Sequence, residues 1–176
     1  MTILTTSRLR LEPFAEGHLD GLNAINGDPD VMRYITGRPE SPAETAIVIE
    51  RVKERWAEFG FSWWAFVDRT NDQIIGSGCI QHLGRDRANP HEIGWRLRPD
   101  HWHQGLASEA AQAMAGFAFE TVGAPVLLAV AAQKNIASRR VMERLGMRFR
   151  GIERWYDTDT ATYEMTRADW DSIRSR

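Results

Sequence analysis

Cysteine is almost missing from this sequence: Cys79 stands alone among 176 residues. No internal disulfide can form and no cysteine cluster can hold zinc, so the expected compartment is a reducing cytoplasm. No charged-then-apolar leader opens the chain, and no apolar run nears the ~18 residues needed to span a bilayer. An excess of one charge is missing too. Lys and Arg number 22 against 24 Asp and Glu, a formal −2, which argues against a nucleic-acid partner. Arginines do crowd between Arg139 and Arg154. A basic patch and a solvated helix and strand surface both fit that crowding. Repeats, low-complexity tracts and Pro/Gly/Ser linkers are absent, so a single domain over residues 1–176 is expected.

Several catalytic signatures are also lacking. There is no GxGxxG after a strand and no phosphate loop closed by Gly-Lys-Ser/Thr. No Gly-x-Ser-x-Gly elbow offers a hydrolase nucleophile. His91-Glu92 opens like a zinc-protease helix, but position 95 is Trp. His101 and His103 have no further ligand cluster beside them, so no metal is expected.

What is present is a folded profile: 43% hydrophobic, 26% charged and seven tryptophans, at a length that supports a substantial core. Ser7–Phe14 alternates apolar and charged residues, as a half-buried strand does. Leu19, Leu22 and Ile25 mark a short helix ended near Gly27 and Pro29. Ser41-Pro42-Ala43-Glu44 combines a capping box with Pro at the first helical position. Val48, Val52, Trp56 and Phe59 follow at helical spacing, and Gly60 stops the run. Phe61–Val67 and Gln73–Gln81, joined through Asn71-Asp72, read as a hairpin. In Glu92–Leu97, Ile93, Trp95 and Leu97 share one face, and Glu92, Gly94 and Arg96 the other. A helix over Ala107–Val122, a strand over Val126–Ala132 and a helix capped by Asn135 and stopped by Gly146 come next. Strands Phe149–Trp155 and Thr160–Thr166 complete the order. This is an α/β chain with a mixed, mostly antiparallel central sheet and helices on both faces.

The chemically informative stretch is Leu97-Arg98-Pro99-Asp100-His101-Trp102-His103-Gln104-Gly105-Leu106-Ala107-Ser108-Glu109. A strand ends, a short loop turns, and a helix begins among small residues. Gly105 and Ala107 permit close approach of a ligand to the backbone. Free amides of the loop and first helical turn would then face an anion such as a pyrophosphate. An ordinary strand-to-helix turn gives the same pattern.

Further motifs join it: Thr6-Ser7-Arg8-Leu9-Arg10-Leu11, Glu92-Ile93-Gly94-Trp95, and Asn135-Ile136-Ala137-Ser138-Arg139-Arg140 running to Leu145-Gly146-Met147. In order and spacing, over nearly the whole chain, these resemble the GNAT superfamily of N-acetyltransferases. Within it they resemble the RimJ/RimL-type branch, which includes ribosomal-protein N-terminal acetyltransferases.

The resemblance implies that the strand ending at Leu97 splays from its neighbour, and that its backbone at Trp95 and Leu97 pairs with the pantetheine arm of acetyl-CoA. It implies that the backbone of Trp102, His103, Gln104, Gly105, Leu106, Ala107 and Ser108 cradles the pyrophosphate. Trp102 stands where the superfamily usually has Gln or Arg. Asn135 looks like the residue that holds the pantetheine or acetyl end, with Ser138 one turn further on the same face. Members of the family are often homodimers; oligomeric state is not otherwise legible in the residues.

Acetyl transfer to an amine requires removal of a proton, stabilisation of an oxyanion and support for the departing thiolate. A backbone amide near Trp95–Leu97 is the implied oxyanion donor. Glu92 is the first choice of general base, and a surface or Arg96-paired carboxylate is the plain alternative. Glu109 is a weaker choice, since its helix would turn it elsewhere. Many superfamily members carry Tyr at the position of Met142, which cannot donate a proton. Ser138 is then the suggested acid, and Tyr156 another hydroxyl within conceivable reach. Trp63 and Trp64 should face opposite sides of their strand. Tyr34, Trp64 and Trp155 are candidates for a cleft wall that could attract a cationic amine. The acceptor is a protein N-terminal amine or a small-molecule amine. A non-catalytic acyl-CoA-binding regulatory module is the alternative function.

Overall fold

Ser41-Pro42-Ala43-Glu44 folds as its side chains dictate in the computed structural model, which describes residues 1–175. The Ser41 hydroxyl accepts from the Glu44 amide, and the Glu44 carboxylate accepts from the Ser41 amide at 2.8 Å. Both donors would otherwise be orphaned at the helix start. Gly60 ends that helix in the left-handed conformation, φ +76°.

The chain order is β1 (Leu4–Thr5), β2 (Leu9–Pro13), α1 (Leu19–Asn26), α2 (Pro29–Met32) and α3 (Pro42–Phe59). There follow β3 (Trp63–Asp68), β4 (Ile74–His82), β5 (His91–Leu97), α4 (Leu106–Gly116) and β6 (Val126–Ala132). The last elements are α5 (Ile136–Leu145), β7 (Arg148–Trp155), β8 (Thr158–Thr166) and α6 (Arg167–Arg174). The strands form one eight-stranded sheet in the order β1-β2-β3-β4-β5-β6-β8-β7. Every neighbouring pair is antiparallel except β5–β6. The expected mixed sheet is therefore present, with β5–α4–β6 joining its one pair of parallel neighbours.

The helices lie on both faces. Arg96 of β5 reaches Asn26 of α1. On the opposite face Met114 of α4 lies against Gly78 of β4, beside the cross-strand partner Trp95. Leu9, Leu11, Trp64, Phe66, Ile80, Met114, Phe119 and Tyr163 fill the core. Among the described residues, no helix is long and apolar enough to cross a membrane. The crowded arginines are paired locally: Arg148 with Asp169, Arg150 with Glu153, and Arg154 with Asp159.

Five features differ from the sequence reading. The helix expected over 107–122 is α-helical only to Gly116 and continues as a π-helix over Phe117–Val122. The change falls at Gly116, where a Cβ would lie 3.6 Å from the Trp170 ring of α6. The short β1 and α2, and the terminal α6, were not anticipated. Trp64, expected at a cleft wall, is wholly buried instead. Its indole N–H donates to the Thr2 carbonyl at 2.8 Å, and its ring meets Trp56 and Phe117 edge-on.

Close packing of α4 on the sheet depends on Gly78. A Cβ there would sit 2.5 Å from the Phe66 ring, 2.8 Å from the Gly94 carbonyl and 2.8 Å from Met114. At neighbouring Gly94 the nearest atom would be Cys79 Sγ, at an ordinary 3.5 Å. Gly78→Ala should therefore cost about 1–3 kcal/mol, as overpacking usually does. Gly94→Ala should be tolerated. Thermal unfolding of the two variants checks this; equal melting temperatures would refute it.

Candidate active site

The pairing of β5 with β6 stops almost as soon as it begins. Only His91 and Glu92 are in register, with Leu127 and Leu128. Beyond them β5 continues beside β4 alone. The Arg98 amide donates to the Ile75 carbonyl of β4 at 2.8 Å. Peptide groups alternate along a strand, so those of Trp95 and Leu97 point the other way, into the gap. This is the splay that the resemblance implied. One part of it is already used: the Trp102 indole N–H donates to the Leu97 carbonyl at 2.9 Å. Trp102 thus takes part at the splay through its side chain. The Leu97 amide and both polar groups of the Trp95 peptide face the gap.

Because β5 and β6 are parallel, the helices that follow them both start at the open end of the splay. Gly105 precedes α4 at φ +77° with no side-chain cap. The Glu109 amide is bonded to the Gly105 carbonyl at 3.1 Å, so the amides of Leu106, Ala107 and Ser108 are the ones without an intrahelical acceptor. Within the loop, φ is positive at His103 and Gly105 but not at Gln104, the alternation from which anion-binding nests are built. The Ser108 hydroxyl is buried without a hydrogen-bond partner. At the start of α5, Asn135 Oδ1 accepts from the Ser138 amide at 3.2 Å. That cap leaves the Asn135 amide nitrogen for other partners. Met142 is buried in the core.

Glu109 turns away, as expected. It accepts from the Thr6 and Ser7 hydroxyls and from the Arg8 amide and guanidinium. Burial works against its charge, but these donors prevail and hold its pKa at about 2. Arg8 also donates to the Gln104 carbonyl at 2.9 Å. The amino-terminal Thr6-Ser7-Arg8 segment therefore clamps the loop before α4, a role its sequence alone did not suggest.

Glu92 lies where the strands part, on the face opposite α4, and is 7% exposed. It is not paired with Arg96. Gln81 Nε2 donates to Glu92 Oε2 at 2.9 Å, and the Tyr156 hydroxyl donates to the same oxygen. The Trp63 indole N–H, which can only donate, points at Gln81 Oε1 at 3.2 Å. That contact turns the Gln81 amide donors toward Glu92. Tyr156 forms the β7–β8 turn with Asp157, at φ +52° and +60°. Its oxygen accepts from the Gly84 amide at 3.2 Å. A bulky residue rarely adopts this backbone, and here it aims the ring back over β4 and β5. Burial pushes the Glu92 pKa up, while Gln81, Tyr156 and the charge of Arg85 resist. Burial and the Glu92 charge push the tyrosine pKa up, so its proton stays in place. Arg96 instead lies 4.7 Å over the Trp63 ring and donates to Asn26 Oδ1 at 3.0 Å.

The pattern described as an acetyltransferase (GNAT) domain matches residues 8–148. The chain belongs to the GNAT acetyltransferases. Among relatives, an uncharacterized N-acetyltransferase of Bacillus subtilis, YnaD, is 29% identical over 85% of this chain and 84% of its own. The crystal structure of an acetyltransferase from Agrobacterium tumefaciens superposes with a TM-score of 0.81 at 26% identity, covering 94% of each chain. The fold is also that of RimL, a ribosomal L7/L12 α-N-protein acetyltransferase solved with coenzyme A. Its TM-score is 0.79 at 15% identity, over 94% of this chain and 98% of that one. This GNAT protein is thus an N-acetyltransferase, of a family that uses acetyl-CoA.

The GNAT frame brings Glu92 and Tyr156 together and adds Gln81 and Trp63, which the sequence reading missed. Trp63, half-buried beneath Arg96, occupies the face assigned to Trp64. Trp155 is half-buried, with Gly84 close to its ring and its indole N–H donating to Glu153. Tyr34 lies apart on the surface under the Arg33 guanidinium. Among the described residues no group of three His, Cys, Asp or Glu side chains could hold a metal.

Ionised Glu92 should cost the fold stability. Its pKa is raised on folding, so its favourable contribution is complete below the ordinary glutamate range and is lost as pH rises through the folded value. Glu92→Gln should match the parent in melting temperature in acid and exceed it at mildly alkaline pH. Each ~1 kcal/mol of relief corresponds to about 2–4 °C at this chain length. A lower melting temperature for the variant at alkaline pH would contradict the burial argument.

Proposed function

We propose that acetyl transfer proceeds by direct attack of the acceptor amine on acetyl-CoA, with Glu92 as the general base. The observation that carries this reading is a carboxylate kept buried, at the point where β5 and β6 part, with its basicity raised. A module that only bound acyl-CoA would gain nothing from that arrangement. A base of raised pKa is better matched to an ammonium than an ordinary glutamate is.

The residues around the gap suit acetyl-CoA, which supplies an acetyl group activated as a thioester. Loop residues Trp102–Gly105 and the free amides of Leu106–Ser108 offer donors to a pyrophosphate. The orphaned Ser108 hydroxyl gains a partner there. The amides of Trp95 and Leu97 can pair with an extended pantetheine arm as a neighbouring strand would, and one of them can serve as oxyanion donor. Asn135 holds the thioester end through the amide group that its cap leaves free.

Glu92 takes one proton from the ammonium. The neutral nitrogen then bonds to the acetyl carbon as the carbon–sulfur bond breaks, and the second proton that the nitrogen sheds passes to the departing thiolate. Tyr156 and Gln81 hold the carboxylate in place, and Tyr156 is a positioning residue here rather than the acid. Ser138 is the hydroxyl assigned to the departing sulfur. The demand on it is modest, because a thiolate of pKa near ~8.5 leaves readily.

Glu92→Gln keeps the shape and most of the hydrogen bonds. It should lower turnover ~10²- to 10⁴-fold at neutral pH, and the loss should shrink as pH rises and free amine forms unaided. Free-thiol release followed across pH measures this. Turnover within about threefold of the parent, with chemistry rate-limiting, would remove Glu92 from the base role.

A further inference from the structure

Gln81 separates Glu92 from a second recess, and its lining is cationic. A small cavity of about 40 Å³ opens between α3 and the end of β4, lined by Arg55, Phe59, Phe61, Ser62, Gln81 and Arg85 among others. Arg87 at its rim is neutralised by Glu58 at 3.0 Å and lies over the Phe59 ring. Among the described residues, Arg55 and Arg85 have no ion-pair partner within 4.0 Å. Arg55 is half-buried. Burial, with the like charges of Arg85 and Arg51, pulls its pKa down. The Ser62 hydroxyl belongs to a residue 1% exposed and has no hydrogen-bond partner. Arg85 is itself held at φ +62°, in the turn that follows β4.

We propose that this recess binds a carboxylate of the acceptor, and that the acceptor is a small amine of the amino-acid type. The proposal rests on the reading of Glu92 as the group that receives the amine. Two unpaired guanidinium groups and an unsatisfied buried hydroxyl form an incomplete donor set. A carboxylate completes it, because its oxygens accept paired N–H donors and a hydroxyl together. The two ends of the site then have opposite sign: an ammonium at Glu92 and a carboxylate at Arg55 and Arg85, with Gln81 as the wall between them. Phe59 and Phe61, stacked at 5.8 Å, offer apolar surface to the acceptor's carbon skeleton. A protein N-terminus carries its first carboxyl carbon in a peptide bond, and so lacks the anion this recess would hold.

The test is a panel of free amino acids beside their methyl esters and amino-terminal peptide amides, all with acetyl-CoA. Free acids should exceed their esters in kcat/KM on the order of ten- to a hundredfold, the usual loss when a charged hydrogen-bond partner is removed. Arg85→Gln and Arg55→Gln should raise KM for the acids and collapse the acid-to-ester ratio toward one. Arg85 is exposed, so its variant should melt with the parent. Esters or peptide amides acetylated as well as the acids would overturn the proposal, as would arginine variants that preserve the ratio. If no amine at all is acetylated, the proposed function fails, and binding alone decides the recess. Calorimetric titration with the same amino acids and esters should then still favour the acids, with the preference lost in Arg85→Gln. Equal binding of acid and ester would overturn it.

Discussion

Everything distinctive about this protein follows from the parting of β5 and β6 after Glu92. A sheet that leaves strand peptides unpaired in its middle forgoes hydrogen bonds that cost little to make and much to omit. The chain limits that cost at one point, where the Trp102 indole takes the Leu97 carbonyl. It leaves the Trp95 peptide and the Leu97 amide facing the gap. Parallel β5 and β6 direct the starts of α4 and α5 to the same end. A slot lined by strand amides therefore opens beside two helix N-termini, the setting in which α/β sheets generally receive ligands.

Several local rules are broken around that slot. Ser41, Gly60 and Thr166 cap helices in the expected way, and the core is apolar. Near the slot the exceptions gather. Glu92 is a buried carboxylate, Ser108 and Ser62 are hydroxyls without partners, and His103, Arg85 and Tyr156 take positive φ. Strain and unsatisfied polar groups collect where a protein handles a ligand, because the ligand supplies what the fold withholds.

The parts legible in the sequence were those set by neighbours in the chain. The capping box at Ser41, the alternation in β2 and β5, and the glycine stops act over a few residues, and each was read correctly. Trp63 and Trp64 show where local reading ends. Alternation puts them on opposite faces, but which faces the core depends on Trp56 and Phe117 from distant helices. Thr166 and Asp169 form a capping box that could have announced α6, though without a hydrophobic run long enough to draw notice. Of the candidate site, the loop before α4 was visible as a motif, and Glu92 was visible through strand phase and resemblance. Gln81 and Tyr156 meet Glu92 across 11 and 64 residues of chain, and Arg55 meets Arg85 only through the packing of α3 on the sheet. Spacing carries no trace of such contacts.

The central claim is that the gap between β5 and β6 receives the acetyl-CoA arm on strand amides. Amide hydrogen exchange with and without saturating CoA addresses it directly. The account predicts selective slowing at Trp95, Leu97 and the Leu106–Ser108 amides, with β2–β3 amides little changed. CoA bound at saturation without protection at Trp95 and Leu97 would contradict it.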